Sequence, residues 1–253
     1  MTASKDNFSR QAALYKQFRP TYPAALYQYL LTLVPARGTA WDCGTGNGQV
    51  AVELARHFTH VIASDISQKQ LQQAALKENI EYRLMPAEQT DFPVQTFDLI
   101  TVGQAAHWFD FDRFYAEVNR VAKPNAILAL WGYGLLSISP AINDVIHRFY
   151  TQTIGPYWDP ERDYVDAAYA TLPFPFKELA PFTGSITQTW TLPDLEGYLN
   201  TWSSVQAYIQ KRGENPVTAC ITEIKTVWGE QEALSVLFPV FSRIGRVVRK
   251  ELI

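Results

Sequence analysis

Short apolar runs and segments with a helical apolar period alternate along the first half of the chain. The runs predict strands over residues 39–43, 61–65, 80–84, 97–102 and 126–131, and the periodic segments predict helices over residues 23–34, 48–58, 67–77 and 111–122. Ser67 is the predicted N-cap of the third of these helices. Strands alternating with helices at these lengths predict a parallel sheet covered on both faces, which binds ligands at the carboxyl ends of its strands.

The second half of the chain has a looser pattern, in which two prolines interrupt residues 171–176. Helical spacing covers residues 139–154, 193–203 and 216–228 and, more weakly, 159–172, whereas residues 182–192 and 235–248 are typical of strands. Pro193 stands at a position where a helix can begin. Pro239 and Gly245 are expected to make the closing strand irregular.

A glycine-rich segment connects the first predicted strand to the helix that follows it. Residues 40–49 read AWDCGTGNGQ, so Asp42 is followed by glycines at three alternate positions, Gly44, Gly46 and Gly48. Glycine has no Cβ, so such a segment can turn sharply and bring its backbone close to a ligand. We therefore expect a ligand-binding turn, with a glycine-rich turn that binds nothing as the alternative.

An acidic residue, Asp65, closes the second predicted strand. A strand–helix–strand unit places a carboxylate here that accepts hydrogen bonds from a ribose diol, so a nucleoside ligand is the first hypothesis. Dinucleotide-binding chains carry G-x-G-x-x-G, with a helix N-terminus directed at the pyrophosphate. This chain carries D-x-G-x-G-x-G instead, which disfavours a dinucleotide.

Residues 42–48 and Asp65 together resemble the first two motifs of class I S-adenosylmethionine-dependent methyltransferases. The resemblance implies that S-adenosylmethionine is the cofactor, that the glycine turn passes its amino-acid part and that Asp65 holds its ribose. The implied cofactor-binding residues of these motifs are Asp42, Gly44, Thr45, Gly46, Gly48, Asp65 and Ile66. After the third strand, Ala87 and Glu88 stand where the family has a small residue and an acid that flank the adenine; a solvated loop carboxylate is the alternative for Glu88.

The segment after the fourth predicted strand, residues 102–110, reads VGQAAHWFD. It resembles the corresponding segment of small-molecule methyltransferases similar to trans-aconitate methyltransferases. The resemblance implies that Gln104 and Ala105 bind the cofactor and that His107 and Trp108 are catalytic. His107 would orient the acceptor or act as a weak base, and Trp108 would form a pocket wall; a structural His107 is the alternative.

The N-terminal segment, residues 8–23, reads FSRQAALYKQFRPTYP and also resembles that group. Tyr15 and Arg19 are four residues apart and so share a helix face. The resemblance implies that both bind the cofactor and that Arg19 pairs with its methionine carboxylate. Residues 1–20 would order over the cofactor as a lid that excludes water; a surface helix held by its aromatic side chains is the alternative.

The family pattern implies an α/β fold with a Rossmann-like seven-stranded, mostly parallel sheet, helices on both faces and an antiparallel last strand. We expect one methyltransferase domain over residues 1–253, with an N-terminal cap (1–30), a cofactor-binding core (36–132), a helical cap insertion after the fifth strand (133–175) and a C-terminal part of the sheet (176–253). The sequence departs from the family at Asn125, where the family often has glycine before the fifth strand. Because Asn tolerates a positive φ, we expect the turn to form.

Composition and charge narrow the function. The 253 residues, 47% of them hydrophobic, are enough for a sizeable core, and the net charge of −3 disfavours a nucleic-acid surface. No run approaches the ~18 apolar residues of a membrane span, and residues 1–7 lack the apolar stretch of a signal peptide. The two cysteines, Cys43 and Cys220, are too few for a disulfide framework or a metal site. A cytoplasmic location is expected, and the oligomeric state stays open.

The implied reaction is SN2 transfer of a methyl group from a sulfonium to a small-molecule acceptor, such as a carboxylate or a hydroxyl. Many aromatic residues after the fifth strand suggest an aromatic-lined acceptor pocket. Two rival hypotheses remain: a catalytically silent protein that binds S-adenosylmethionine, and an NAD-dependent dehydrogenase. The sequence does not identify the acceptor or its reacting atom.

Overall fold

The structure is a computed structural model, and it describes residues 18–248. The strands of this region form one sheet, in the order β3-β2-β1-β4-β5-β8-β6, with β7 also paired to β8. The strands are β1 (Thr39–Cys43), β2 (His60–Asp65), β3 (Ile80–Leu84), β4 (Phe97–Gly103), β5 (Ala122–Tyr133), β6 (Lys177–Glu178), β7 (Gly184–Thr191) and β8 (Ala233–Arg246). Strands β1 to β5 pair in parallel, and β8 is antiparallel to β5. The predicted fold class is confirmed, and the two-residue β6 adds to the seven predicted strands.

The helices of the described region cover the sheet and extend beyond its far edge. They are α1 (Ala24–Leu33), α2 (Gln49–Leu54), α3 (Gln68–Leu71), α4 (Phe111–Val121), α5 (Pro140–Arg148), α6 (Arg162–Asp166), α7 (Leu192–Asn200), α8 (Ser203–Arg212) and α9 (Val217–Trp228). Ser67 is the N-cap of α3, as predicted, because its hydroxyl accepts from the Gln70 backbone N–H at 3.3 Å. Helices α2 and α3 are shorter than predicted, and α8 was missed because its sequence, SSVQAYIQKR, has little apolar periodicity.

Alternate side chains of the parallel strands enter two separate cores, as the two-residue period of a strand requires. Ala40 and Leu99 pack against α1 and α2 on one face, whereas Trp41 and Ile100 pack against α4 on the other. A third core lies between the β7–β8 pair and helices α5, α7 and α9. The fold is therefore covered on both faces, which leaves the carboxyl ends of the strands for a site.

The segment between β5 and β7 is less regular than its helical pattern predicts. Helix α5 passes into a π-helical turn over Phe149–Thr153, and the predicted helix over residues 159–172 is reduced to α6. Ala168 and Tyr169 have φ of 50° and 61°, and two successive residues in the left-handed region cannot continue a right-handed helix. The division of the domain at residues 132 and 175 stays a prediction.

Two expectations about β-strand irregularity have opposite outcomes. Asn125 has φ of 64°, so the turn expected at this position forms, although β5 already begins at Ala122. The irregularities expected at Pro239 and Gly245 were wrong, because the pairing register of β8 runs through both residues without a shift. Pro239 lies beyond the last β5–β8 pair, where the loss of one N–H is tolerated.

Within residues 18–248, no helix is long and apolar enough to span a membrane.

Candidate active site

The carboxyl ends of β1 to β5 surround a cleft with a cavity of about 150 Å³. Most of the predicted cofactor-binding residues line it: Arg19, Gly44, Thr45, Gly46, Asp65, Ile66, Ala87, Glu88, Gln104 and Ala105. Trp108 lines it as well. Asp42 and Gly48 do not reach its surface, and Tyr15 lies outside the described residues, as does most of the expected lid over residues 1–20. The structure thus brings together residues from five separate strand ends.

The three glycines of the loop after β1 have different surroundings. A Cβ on Gly44 would lie 2.7 Å from the Ala105 Cβ, and one on Gly48 would lie 2.5 Å from the Tyr82 hydroxyl oxygen, so both allow close packing. Gly46 has φ of 57°, and a Cβ there would meet no atom of residues 18–248 within 4 Å. Because Gly46 lines the cleft, a side chain at this position would enter the space of a ligand.

Asp42 stabilises the glycine loop and does not itself line the cleft. Its carboxylate is 1% exposed and accepts hydrogen bonds from the hydroxyls of Thr45 and Thr101, the latter at 3.0 Å. Burial raises the pKa of this carboxyl to about 7, against the opposing effect of the two hydroxyl bonds. Asp42 therefore positions Thr45, which does line the cleft.

The raised pKa of Asp42 gives a stability prediction. A carboxyl that holds its proton up to about pH 7 when folded and only to about pH 4 when unfolded makes the native state lose stability as pH rises between these values. Asp42→Asn has no proton to lose at this position, so we expect its free energy of unfolding not to show this part of the decline with pH. The part that is lost amounts to about 1.4 kcal/mol per unit of pKa shift. Thermal unfolding of both proteins from pH 4 to 8 measures the difference; parallel curves would contradict the raised pKa.

Asp65 connects the end of β2 to the glycine loop. Its two carboxylate oxygens accept from the Gly46 and Ser67 backbone N–H groups, each at 2.8 Å. The loop is also tied to β2 by Thr45 N–H, which donates to the Ser64 carbonyl at 2.9 Å. Asp65 thus has a structural role in the loop and faces the cleft at the same time.

The segment after β4 is held in an unusual backbone conformation. Gln104 has φ of 57°, a conformation that is uncommon outside glycine and often found at functional sites. Its side-chain oxygen accepts from the Tyr133 backbone N–H at 2.9 Å, which fixes the orientation of the amide group. The Gln104 side chain is therefore anchored to β5 where it lines the cleft.

A second, smaller cavity of about 40 Å³ adjoins the cleft. Arg19, Gln104 and Trp108 line both, so these three residues form the wall between them. The rest of the second cavity is lined by His107, Trp158, Asp159, Arg162, Trp202 and Ser203. The two predicted catalytic residues, His107 and Trp108, thus lie at or beside the wall that separates the two cavities.

His107 is buried within this second cavity. Its Nδ1 hydrogen-bonds with the Tyr169 hydroxyl at 3.1 Å, and its ring packs beside that of Trp108 with centroids 4.9 Å apart. Burial lowers the pKa of His107 to about 3, and the Arg162 guanidinium adds to this effect. The imidazole is therefore neutral near pH 7 and is a poor proton acceptor.

Arg19, near the N-terminal end of the described residues, lies in the wall between the two cavities. Its guanidinium donates to the Tyr133 hydroxyl at 2.8 Å and to the Thr201 carbonyl at 3.3 Å, and lies 5.4 Å from the centroid of the Tyr198 ring. These contacts hold a positive charge between the cleft and the second cavity. The predicted pairing with a cofactor carboxylate stays a prediction.

Several residues of the cleft were not predicted as site residues. They are Pro20, Tyr22, Asn47, Gln49, Val50, Ser67, Gln70, Met85, Gly103, Phe109 and Tyr133. Asn47 and Gln49 alternate with the loop glycines, and that spacing is a signal which could have identified them. Tyr133 was missed because the predicted fifth strand ended two residues too early.

The cleft fits an adenosine-containing cofactor with an amino-acid end. An acid stands at the end of β2, and the loop glycine Gly46 faces open space where a Cβ would project. Apolar groups of Ile66, Met85 and Ala87 line the cleft beside them, as an adenine ring requires. Within residues 18–248, no group of three or more His, Cys, Asp or Glu side chains could hold a metal ion.

Comparison with known proteins agrees with this fit. A family model described as a methyltransferase domain matches residues 41–130. A Dictyostelium discoideum protein named putative methyltransferase is 39% identical over 255 residues, which cover 97% of this chain and 96% of that protein. An uncharacterized methyltransferase of Mycobacterium bovis is 31% identical over 173 residues, covering 67% of this chain and 65% of that protein. The solved structure of a putative type II methyltransferase from Anaeromyxobacter dehalogenans has 40% identity and a TM-score of 0.84, and covers 92% of this chain and 100% of that one.

The chain therefore belongs to the methyltransferase family, and its fold is that of a class I S-adenosylmethionine-dependent methyltransferase. The protein is a methyltransferase enzyme, and S-adenosylmethionine is its cofactor. The dehydrogenase hypothesis is not supported, because family membership agrees with the glycine spacing that disfavours a dinucleotide.

Proposed function

We propose that this methyltransferase transfers a methyl group to a carboxylate or hydroxyl of a small molecule, as in the branch similar to trans-aconitate methyltransferases. The observation that carries the proposal is the second cavity, which shares Arg19, Gln104 and Trp108 with the cleft. A cavity of about 40 Å³ has room for only part of a small acceptor, whose reacting end would lie towards the adjoining cleft. The net charge of −3 also favours a small molecule over a nucleic acid.

The cleft residues would bind and orient the cofactor, which when bound supplies the methyl group together with its leaving group. Asp65 would accept hydrogen bonds from the ribose hydroxyls, and the loop around Gly46 would pass the amino-acid part. Arg19 would bind a carboxylate of the cofactor or of the acceptor, since it lines both spaces. Trp108 would close the wall around the transfer position and exclude water from it.

The low pKa of His107 favours one of the two roles predicted for it. A group whose pKa is about 3 gives up a bound proton too readily to act as a base near neutral pH. An orienting role fits better, because Nδ1 is fixed by Tyr169 and the ring lines the second cavity. An acceptor carboxylate is already ionised near pH 7 and needs no base.

A labelled-methyl assay tests the proposal. The protein and S-adenosylmethionine carrying a labelled methyl group are incubated with a panel of small carboxylic acids and alcohols, and labelled products are separated by chromatography. Methylation of one or more members supports the proposal. Tight adenosylhomocysteine binding without transfer to any panel member would refute it and favour a catalytically silent protein.

His107→Ala is expected to lower kcat by roughly a hundredfold, because misplacement of a reacting group by about 1 Å costs that much. Adenosylhomocysteine affinity should stay unchanged, because His107 lines the second cavity and not the cleft. His107→Gln keeps a hydrogen-bond donor and should retain more activity, and His147→Ala, on the exposed side of α5, is the matched control. Steady-state kinetics and calorimetry check both parts. A kcat/KM profile with a step near pH 6.5 that disappears in His107→Ala would contradict the orienting role.

A further inference from the structure

The second cavity is lined by charged groups that lie next to aromatic rings. Two guanidinium groups, those of Arg19 and Arg162, and one carboxylate, that of Asp159, line the cavity. Trp158 and Trp202 lie beside them, with ring centroids 5.7 Å apart. Such a wall favours a ligand that combines an anionic group with an apolar part.

Arg162 is held in place by three side chains. Its Nε donates to the Tyr150 hydroxyl at 2.8 Å and lies 3.2 Å from an Asp166 carboxylate oxygen. The Tyr150 hydroxyl donates in turn to the Asp166 carboxylate at 2.7 Å. The guanidinium carbon also lies 4.8 Å from the centroid of the Trp158 ring. These contacts use one edge and one face of the guanidinium, so its orientation is set before any ligand binds.

The other edge of the Arg162 guanidinium is available to a ligand. Among residues 18–248, neither Nη1 nor Nη2 of Arg162 makes a hydrogen bond or an ion pair, although the side chain is only 19% exposed and lines the cavity. The charge acts within the cavity, because it contributes to lowering the pKa of His107. A preoriented pair of N–H donors matches the two oxygens of a carboxylate.

We propose that Arg162 is a specificity-determining residue that binds an acidic group of the acceptor, and that this acidic group is not the one methylated. The inference rests on the proposed function of the same site. An oxygen held by a guanidinium has its lone pairs engaged and is a weaker nucleophile, so the reacting oxygen must be a different one, nearer to the shared wall of Arg19, Gln104 and Trp108. The acceptor class is therefore a small organic acid with a second nucleophilic oxygen, such as a hydroxy acid or a dicarboxylate.

The test compares acids with their neutral amides in binding and in turnover. Calorimetry on the adenosylhomocysteine-saturated protein measures the affinities of acetate, succinate and benzoate and of the amide of each. The wild type should bind at least one acid about tenfold or more tightly than its amide, as expected for a charge-assisted hydrogen-bonded pair. Arg162→Gln should remove this preference, and Arg162→Lys should keep part of it. Tyr150→Phe, which keeps the ring but removes one of the two acceptors at the Arg162 Nε, should weaken the preference.

Arg148→Gln is the matched control, because Arg148 makes an exposed ion pair with Glu223 on α9, and it should leave the preference intact. Circular dichroism and unchanged adenosylhomocysteine affinity show that each variant is folded. No acid preference in the wild type, or an equal preference in Arg162→Gln, would overturn the proposal for Arg162.

A turnover assay with hydroxybenzoates, dicarboxylates and their amides separates the two proposals. Equal methylation of acids and amides would support methyl transfer to small molecules and overturn the role of Arg162. An acid preference in binding that depends on Arg162, without methylation of any panel member, would support the Arg162 site and refute the proposed acceptor class of the enzyme.

Discussion

Gly46→Ala is expected to weaken adenosylhomocysteine binding by about 5- to 150-fold, since overpacking a close contact costs roughly 1–3 kcal/mol. The reason is the surroundings of Gly46: a Cβ there meets no atom of the described part of the chain within 4 Å and would project into the cleft. The fold should remain native, because the substitution only adds the strain of a left-handed alanine, roughly 1–2 kcal/mol. Calorimetry with adenosylhomocysteine and far-UV circular dichroism measure the two effects.

A second variant, Gly213→Ala, separates the effect of backbone strain from the effect of obstructing the ligand. Gly213 also has a positive φ, 78°, and an added Cβ there also meets no atom within 4 Å among the residues that the structure describes. It caps the C-terminus of α8, however, and does not line the cleft. It should lose a similar amount of stability and keep full affinity. Equal affinity in Gly46→Ala and the wild type would mean that the loop does not approach the cofactor.

The strands of the core could be predicted from sequence because their signal is local. Buried parallel strands are short apolar runs, and β1 and β3 have the predicted bounds. Helix α2 was predicted too long because residues 55–58 keep an apolar period after the helix has ended. Helix α8 was missed for the opposite reason: Ser204 and Val205 are its only buried residues, so its fold depends on tertiary contacts.

The cofactor-binding part of the site could also be predicted from the sequence. The geometry of the fold requires the glycine turn and the acidic residues at fixed positions next to the ends of strands, and these positions can be recognised in the sequence. The roles of Asp42 and Gly48 were harder to assign: the same motif contains residues that line the cleft and residues that support it from behind.

The acceptor side was accessible only in part: the aromatic residues after the fifth strand, Trp158 and Trp202 among them, were expected to line an acceptor pocket, and both line the second cavity. Arg162, Trp158 and Trp202 reach the second cavity from different elements after β5, and no sequence spacing links them to His107. Tyr169 reaches His107 only because the backbone at residues 168–169 adopts a left-handed conformation, which the weak helical pattern of that segment does not indicate. Such placements depend on long-range packing.

The ribose role of Asp65 must be separated from its structural role. Its carboxylate already accepts from Gly46 N–H and Ser67 N–H, so removing it changes the loop as well as any ligand contact. Asp65 also lines the cleft, so both roles are compatible. Asp194→Ala is a matched control, because Asp194 also accepts from a backbone N–H, that of Thr191, but belongs to the capping box of α7, outside the cleft.

Asp65→Ala is expected to raise the Kd for adenosylhomocysteine by about 5- to 150-fold, the effect of roughly 1–3 kcal/mol for ligand hydroxyls left without partners. The wild type should lose a similar factor when the ligand is the 2′,3′-dideoxy analogue of adenosylhomocysteine. Because both changes remove the same interaction, the analogue should bind the Asp65→Ala variant no more weakly than adenosylhomocysteine does. If instead the two losses add in full, Asp65 acts on affinity only through the glycine loop, and the ribose assignment is wrong.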